Sequence, residues 1–132
     1  LEKEIRKHFP EGVDVYFDNA GGPFLDAALA NMRNLGKIIA CGMISTYGNG
    51  LQYTYKNLGS VILKSLTFTG FMVYNYYSEN KETLDNILKL VNEGKYSFIE
   101  DKNEGRLSLC PQLISQFFNG KNIGKFYLKI TK

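Results

Sequence analysis

Few side chains in this 132-residue sequence are equipped for chemistry, and the obvious arrangements fail. Cys41 and Cys110 are the only thiols and His8 is the only imidazole. A structural zinc site needs four soft ligands in closely spaced pairs, so no metal site is expected. Gly120-Lys121-Asn122-Ile123-Gly124-Lys125 imitates a phosphate loop. Three residues separate its glycines where about four are required, and Phe126 stands where a metal-binding Ser or Thr belongs. Gly48-Asn49-Gly50 has no third glycine at the dinucleotide spacing and leaves a loop, not a strand. Polar and glycine residues gather instead behind three strand-like runs: Asn19 and Gly21, then Gly42 and Ser45, then Gly70 and Val73. In open parallel sheets ligands sit outside the carboxyl ends of the strands, so the site is expected there.

The elements that must position those residues are legible from pattern. Glu2–Phe9 suits a short helix that Pro10-Glu11-Gly12 breaks. Val13–Phe17 is a β-branched and aromatic run entering the glycine turn Asp18-Asn19-Ala20-Gly21-Gly22. Pro23 suits a helix's first turn, Leu25, Ala28, Leu29 and Met32 follow at helical spacing, and Gly36 is the expected C-terminal cap. Lys37–Cys41 is nearly all apolar, as expected of a strand covered on both faces. Residues 51–64 are ambiguous, with a short helix near Leu58–Leu63. Ser65–Val73 reads as a third strand, and a helix capped by Ser78 or Asn80 follows. Leu84, Ile87, Leu88 and Val91 would be its buried stripe and Gly94 its end. Beyond it come a strand-like Tyr96–Glu100, a helix Cys110–Phe118 and an alternating strand Lys125–Lys129. Strand, helix, strand, crossover, strand, helix gives a parallel α/β sheet with helices on both faces.

Composition sets the outer bounds. Hydrophobic residues make up 44% and charged residues 22%, which suits a soluble globular domain and not a disordered chain. No apolar run approaches the roughly 18 residues of a membrane span. No basic-then-apolar leader and no Asn-x-Ser/Thr sequon occurs, and two unpaired thiols suit a reducing cytoplasm. The chain opens at Leu1 and not at Met, which reads as an excised piece. Net charge is +3, split into +5 over residues 102–132 and −2 over residues 1–101. A basic tail can attract nucleic acid, but spaced lysines more often form a solvated face.

Four motifs in register carry a resemblance. Asp18-Asn19-Ala20-Gly21-Gly22, Cys41-Gly42-Met43-Ile44-Ser45-Thr46-Tyr47, Gly70-Phe71-Met72-Val73 and the Gly120–Lys125 segment follow one another at suitable spacings. Together they resemble the carboxyl-terminal part of the zinc-independent medium-chain dehydrogenase/reductases. Within that family they are most similar to the leukotriene B4 12-hydroxydehydrogenase, prostaglandin reductase and alkenal double-bond reductase group. The resemblance implies the C-terminal half of a Rossmann-type parallel sheet with flanking helices, and a tail that would return to a substrate domain. It places residues 1–94 in the second half of a dinucleotide-binding domain and residues 95–132 in the returning segment.

The same resemblance implies NADP(H)-dependent reduction of the double bond of α,β-unsaturated aldehydes and ketones. Tyr47 matches the family's tyrosine near the nicotinamide ribose and the substrate carbonyl, where a phenol can hydrogen-bond an enolate oxygen and relay a proton. Asn19 and Gly21 match the turn that approaches the cofactor. Cys41, Gly42 and Ser45 match the next turn, with Cys41 packed beside the cofactor and not a nucleophile, since nothing near it in sequence would lower its pKa. Phe71 and Val73 match positions whose backbone meets the carboxamide, and Asn122 matches an asparagine on the nicotinamide side. Two departures stand out. The pyrophosphate-binding glycine turn is not in this sequence, and Tyr74-Asn75-Tyr76-Tyr77 stands where the group commonly has Ser-Asp-Tyr-Tyr. The isolated chain is therefore expected to be nearly silent as a catalyst.

Two readings of other classes follow from other features. A half-fold with an open strand edge would serve as a self-association or binding module, a homodimer being the form the family suggests. Single-stranded nucleic-acid binding by Tyr53, Tyr55, Tyr74, Tyr76 and Tyr77 is the weakest reading, because these aromatics sit away from the basic tail.

Overall fold

The computed structural model describes residues 1–49 and 52–131, so Gly50 and Leu51, within the glycine loop and the ambiguous stretch, lie outside the described residues. The chain divides into two compact units, Leu1–Tyr76 and Tyr77–Lys132. The first is built on three parallel strands in the order β1 (Val13–Asp18), β2 (Met32–Ala40), β3 (Thr67–Gly70). Helix α1 (Glu2–His8) precedes them, α2 (Gly22–Asn31) crosses from β1 to β2, and α3 (Ser60–Leu63) leads into β3. Tyr16, Ile38 and Phe68 pair across the sheet, as do Asp18, Ala40 and Gly70. These pairs align the three carboxyl ends at one edge of the unit.

The core forms where α2 lies on the sheet. Leu25, Leu29 and Met32 pack with Ile38 and Leu66, with Val13, Tyr16, Tyr55 and Val61 at the margin. The expectation of helices on both faces is corrected here. Ile38 is fully buried, whereas Val15 and Phe17, which point to the opposite side, are 56% and 53% exposed. Strand side chains alternate between faces, and α2 covers only one of them. On the other face, Phe71 lies against Phe17 at 6.0 Å between ring centroids and stacks on Tyr76 at 5.0 Å.

Helix α2 ends five residues before the glycine expected to cap it. Its last residue is Asn31, Met32 is already extended, and Gly36 lies inside β2. The cause is a set of competing hydrogen bonds. The Asn31 side-chain amide folds back onto the Ala27 carbonyl at 2.8 Å. Lys64 Nζ donates to the carbonyl oxygens of Leu29 (3.3 Å), Ala30 (2.8 Å) and Met32 (2.9 Å). An ammonium thus takes the orphan carbonyls that a glycine cap would have served. Burial, and secondarily the Arg6 guanidinium, push the Lys64 amine below the ordinary lysine value. Residues 33–36 then bulge out of register with β1, with Leu35 in the left-handed region at φ 63°. Gly36 suits this close approach, since a Cβ there would meet the carbonyl oxygens of Arg33 at 3.0 Å and Asp14 at 3.2 Å.

The second unit holds α4 (Asn80–Asn92), β4 (Glu100–Gly105), α5 (Cys110–Phe118) and β5 (Lys125–Ile130). Helix α5 has the bounds its pattern gives, and Gly94, at φ 67°, follows the end of α4. Two expectations are corrected. The strand is Glu100–Gly105 and not Tyr96–Glu100; its polar residues are held by parallel backbone pairing with β5 and by the Lys129–Glu104 ion pair at 3.1 Å. The apolar stripe of α4 is exposed at Leu84, Ile87 and Leu88, and amphipathic spacing alone does not supply the surface that would cover it. Neither Ser78 nor Asn80 caps α4 through its side chain, its N-cap being Glu79. Packing groups α4 with this second unit, where the sequence grouped it with the sheet through residue 94. Among the described residues no helix is long and apolar enough to cross a membrane.

The Lys64 cap carries a stability prediction. Lys64→Met should lower the unfolding free energy by about 2 kcal/mol, the typical cost of orphaning carbonyls that a charged donor served. Lys64→Arg should lose less. Urea denaturation measures both, and a Met variant as stable as the parent would show that the ammonium does not hold the helix end.

Candidate functional site

The site is built outward from Asp18, the last residue of β1 and only 1% exposed. Its carboxylate Oδ1 accepts from the backbone N–H groups of Ala20 (3.0 Å) and Gly21 (2.9 Å), and from the Tyr16 hydroxyl (3.1 Å). An aspartate bonding the amides two and three residues on is the Asx turn its sequence context invites. The turn leaves Gly21 at φ 64°, from which α2 starts. The Asp18 carbonyl meanwhile accepts from Cys41 N (2.7 Å) and Gly42 N (3.0 Å), where β2 runs out. One residue therefore ties two loops together. Its other carboxylate oxygen, Oδ2, is buried with no hydrogen-bond partner among the described residues. Burial first, and the Asp18 charge second, push the Tyr16 phenol from 10.0 up to about 12.

The two loops are pressed against each other. A Cβ on Gly21 would meet Met43 Cα at 2.9 Å, and one on Gly42 would meet the Asn19 carbonyl oxygen at 3.0 Å. Asn19 O accepts from Ile44 N at 3.3 Å, and Ala20 O accepts from both Ser45 N (3.0 Å) and the Ser45 hydroxyl (2.6 Å). Ser45 thus spends its hydroxyl on the neighbouring turn. Ile44–Asn49 then winds as a 3-10 helix that carries Tyr47.

Beyond the ends of β2 and β3 lies an open cavity of about 450 Å³. Of the residues singled out from sequence, Cys41, Gly42, Tyr47 and Phe71 line it. Asn19, Gly21 and Ser45 form the turn behind it, and Val73 opens the next 3-10 helix, partly exposed. Asn122 belongs to the second unit, where its side-chain amide donates to the Gly124 carbonyl at 3.1 Å. Sequence reasoning missed Ala40, Met43, Met72 and Asn75 on the cavity wall, and Asp18 behind it. The Asx-turn pattern was the available signal for Asp18; nothing in the sequence marked Asn75 beyond its departure from the resembled motif.

The described lining residues are mostly apolar, with Tyr47 and Asn75 carrying a hydroxyl and an amide beside the Cys41 thiol. Its volume lies within the range of small-molecule sites. Gly70 faces into open space, for a Cβ there would meet nothing within 4 Å. A flat heteroaromatic ring with its sugar fits this setting. Among its described lining residues there is no Lys, Arg or His. Among the described residues no group of three or more His, Cys, Asp or Glu could hold a metal ion.

Comparison with known proteins places this geometry. The profile of the family described as zinc-binding dehydrogenase matches residues 1–93. The chain is 37% identical over 128 residues to a (+)-pulegone reductase of Mentha piperita, covering 97% of this chain and 37% of that protein. It is 36% identical over 132 residues to a 2-alkenal reductase (NADP(+)-dependent) of Nicotiana tabacum, covering 100% of this chain and 38% of that protein. The chain thus spans under two fifths of the length of either relative. The crystal structure of CurA in complex with NADPH from Vibrio vulnificus superposes with a TM-score of 0.84 at 24% identity, over 99% of this chain and 40% of that one. That likeness shows the fold.

Asp18→Ala should cost about 2–3 kcal/mol by stranding the Ala20 and Gly21 amides, and Asp18→Asn less, since an amide oxygen can still accept from both. The raised Tyr16 pKa gives a signed pH effect. The phenol stays neutral to about 12 when folded and to 10.0 when unfolded. Its contribution is therefore complete below pH 10 and is lost as the pH rises through about 12. The stability difference between the parent and Tyr16→Phe, from guanidinium titrations, should shrink across that window; a difference independent of pH would contradict the Tyr16–Asp18 bond.

Proposed function

The chain belongs to the zinc-binding dehydrogenase family, and from that premise we propose that it forms the nicotinamide side of an NADPH-dependent reductase of α,β-unsaturated aldehydes and ketones. The reading agrees with the zinc-independent reductases that the four sequence motifs resemble. Its main support is the open cavity at the strand ends, which sets Tyr47 on one wall with Cys41, Gly42 and Phe71. When bound, the nicotinamide supplies a hydride to the substrate's β-carbon, leaving NADP+, while the π electron pair moves toward the carbonyl oxygen and a proton is taken up at the α-carbon.

The chain's own residues meet the demands of that chemistry. Phe71, held between Phe17 and Tyr76, gives the cavity a rigid flat wall against which a ring can lie. Ala40, Met43 and Met72 supply apolar surface around the reacting face. The Tyr47 hydroxyl donates to the carbonyl oxygen and so stabilises the charge that grows there. Asp18 acts at one remove, by fixing the two loops from which the wall is made.

Self-association is a second reading with its own observation. β1 is an edge strand of the three-stranded sheet and bears exposed Val15 and Phe17. A second copy of the chain pairing along that edge would satisfy its backbone and cover both side chains. Sedimentation across a concentration series tests this, and a monomer throughout would end it.

The reductase reading is tested by fluorescence titration of the chain with NADPH and, in parallel, NADH. Saturable binding with NADPH preferred is expected. In any turnover assay with an enone, Tyr47→Phe should lower kcat by about a hundredfold with cofactor affinity little changed. Absence of NADPH binding, or full activity in the Phe variant, would overturn the corresponding half of the proposal.

A further inference from the structure

We propose that Asn75 is a second hydrogen-bond donor to the substrate's carbonyl oxygen, working beside Tyr47; this rests on the reading of the cavity given above. The argument begins with an inventory of donors. Around the cavity, Ala40, Met43, Phe71 and Met72 offer no side-chain donor, and the Cys41 thiol offers only a weak one. Among its described lining residues, two carry a strong side-chain donor: Tyr47 its hydroxyl and Asn75 its amide. Neither group has a hydrogen-bond partner among the described residues. Both are exposed, so neither must abandon an existing partner to take a ligand.

The segment carrying Asn75 is anchored on both sides. Its own backbone N–H donates to the Met72 carbonyl at 3.0 Å, closing a turn. Tyr76, the next residue, stacks on Phe71 with the rings 17° from parallel. An amide so mounted loses little freedom on meeting a ligand, which is what makes a neutral donor useful.

The chemistry of the amide matters more than its presence. During reduction the π pair of the double bond moves toward the carbonyl oxygen, which gains negative charge until the α-carbon is protonated. Two donors share that charge better than one. Asn donates through Nδ2 at every pH, whereas a carboxylate at the same place could only accept and would repel the oxygen. The position therefore favours ligands with a carbonyl over hydrocarbons of equal shape.

The test uses the purified chain, with NADPH present, and two probes of one skeleton. The first is 4-phenylbut-3-en-2-one and the second is trans-1-phenyl-1-butene, in which a methylene replaces the carbonyl. Proton–nitrogen NMR titrations follow the Asn75 side-chain amide in the parent and in Tyr47→Phe, and the backbone amides of the cavity residues give both affinities for these two and for Asn75→Asp and Asn75→Leu. In the parent, the ketone should shift the Asn75 amide resonances. Both Asn75 variants should bind the ketone at least about fivefold more weakly, the worth of one hydrogen bond, and bind the hydrocarbon as before.

Equal loss for both probes would mean that Asn75 only shapes the cavity, and the inference would be wrong. Unchanged ketone affinity in the Asn75 variants, with a loss in Tyr47→Phe, would also overturn it while leaving the reductase reading intact. A parent chain that binds NADPH but not the ketone would remove the inference and the substrate half of that reading together.

Discussion

A single buried carboxylate holds the working end of this sheet. Asp18 sits at the carboxyl end of β1, almost wholly out of water, where an ionised group is costly unless its surroundings replace the lost hydration. Three donors converge on one of its oxygens, and α2 begins four residues further on, presenting its positive end. The cost is only partly offset, because Oδ2 finds no partner among the described residues. What the arrangement achieves is geometric. The side chain closes the turn through Ala20 and Gly21, while the carbonyl of the same residue receives the amides of Cys41 and Gly42. Two loops far apart in sequence are thereby set in one fixed relation, and the cavity wall inherits it.

Helix α2 is held by charge at both ends, and neither charge belongs to the helix. Asp18 lies at its positive end, and the Lys64 ammonium lies on the carbonyls at its negative end. Both placements have the sign that the aligned peptide dipoles favour. Between them, Leu25 and Leu29 press onto Ile38 and Leu66. The helix is therefore a strut between the site and the opposite end of the sheet, and its length is set by where Lys64 intercepts the ladder. That explains why the chain passes from helix to strand between Asn31 and Met32 with no intervening loop.

How much of this was legible in the sequence follows from the range of each interaction. The parallel strands and α5 were legible, because apolar runs, proline and glycine act within a few residues of themselves. The cavity was legible in outline from polar and glycine residues behind successive strands; Cys41, Gly42, Tyr47 and Phe71 do meet there. The end of α2 was not, because Lys64 reaches it from more than thirty residues away and no local pattern announces such a cap. The strand Glu100–Gly105 was hidden for a related reason: its polar residues are held by backbone pairing and by an ion pair to Lys129, twenty-five residues on. Exposed Val15 and Phe17 show the converse, for alternation tells which residues share a face but not whether anything covers it.

The electrostatics of the cavity bear on why its donors are neutral. Asp18, which anchors the loops behind the wall, is negative, buried and incompletely satisfied among the described residues. A cation on the cavity wall would be drawn toward that carboxylate, weakening its attraction for a developing oxyanion. Tyr47 and Asn75 carry no net charge, so they can aim bond dipoles at a carbonyl oxygen without entering that competition. Asp18's charge is already directed elsewhere, its accepting oxygen being occupied by two amides and the Tyr16 hydroxyl. The wall and the anchor behind it thus divide their tasks by charge: the ion fixes the loops, and the neutral dipoles face the ligand.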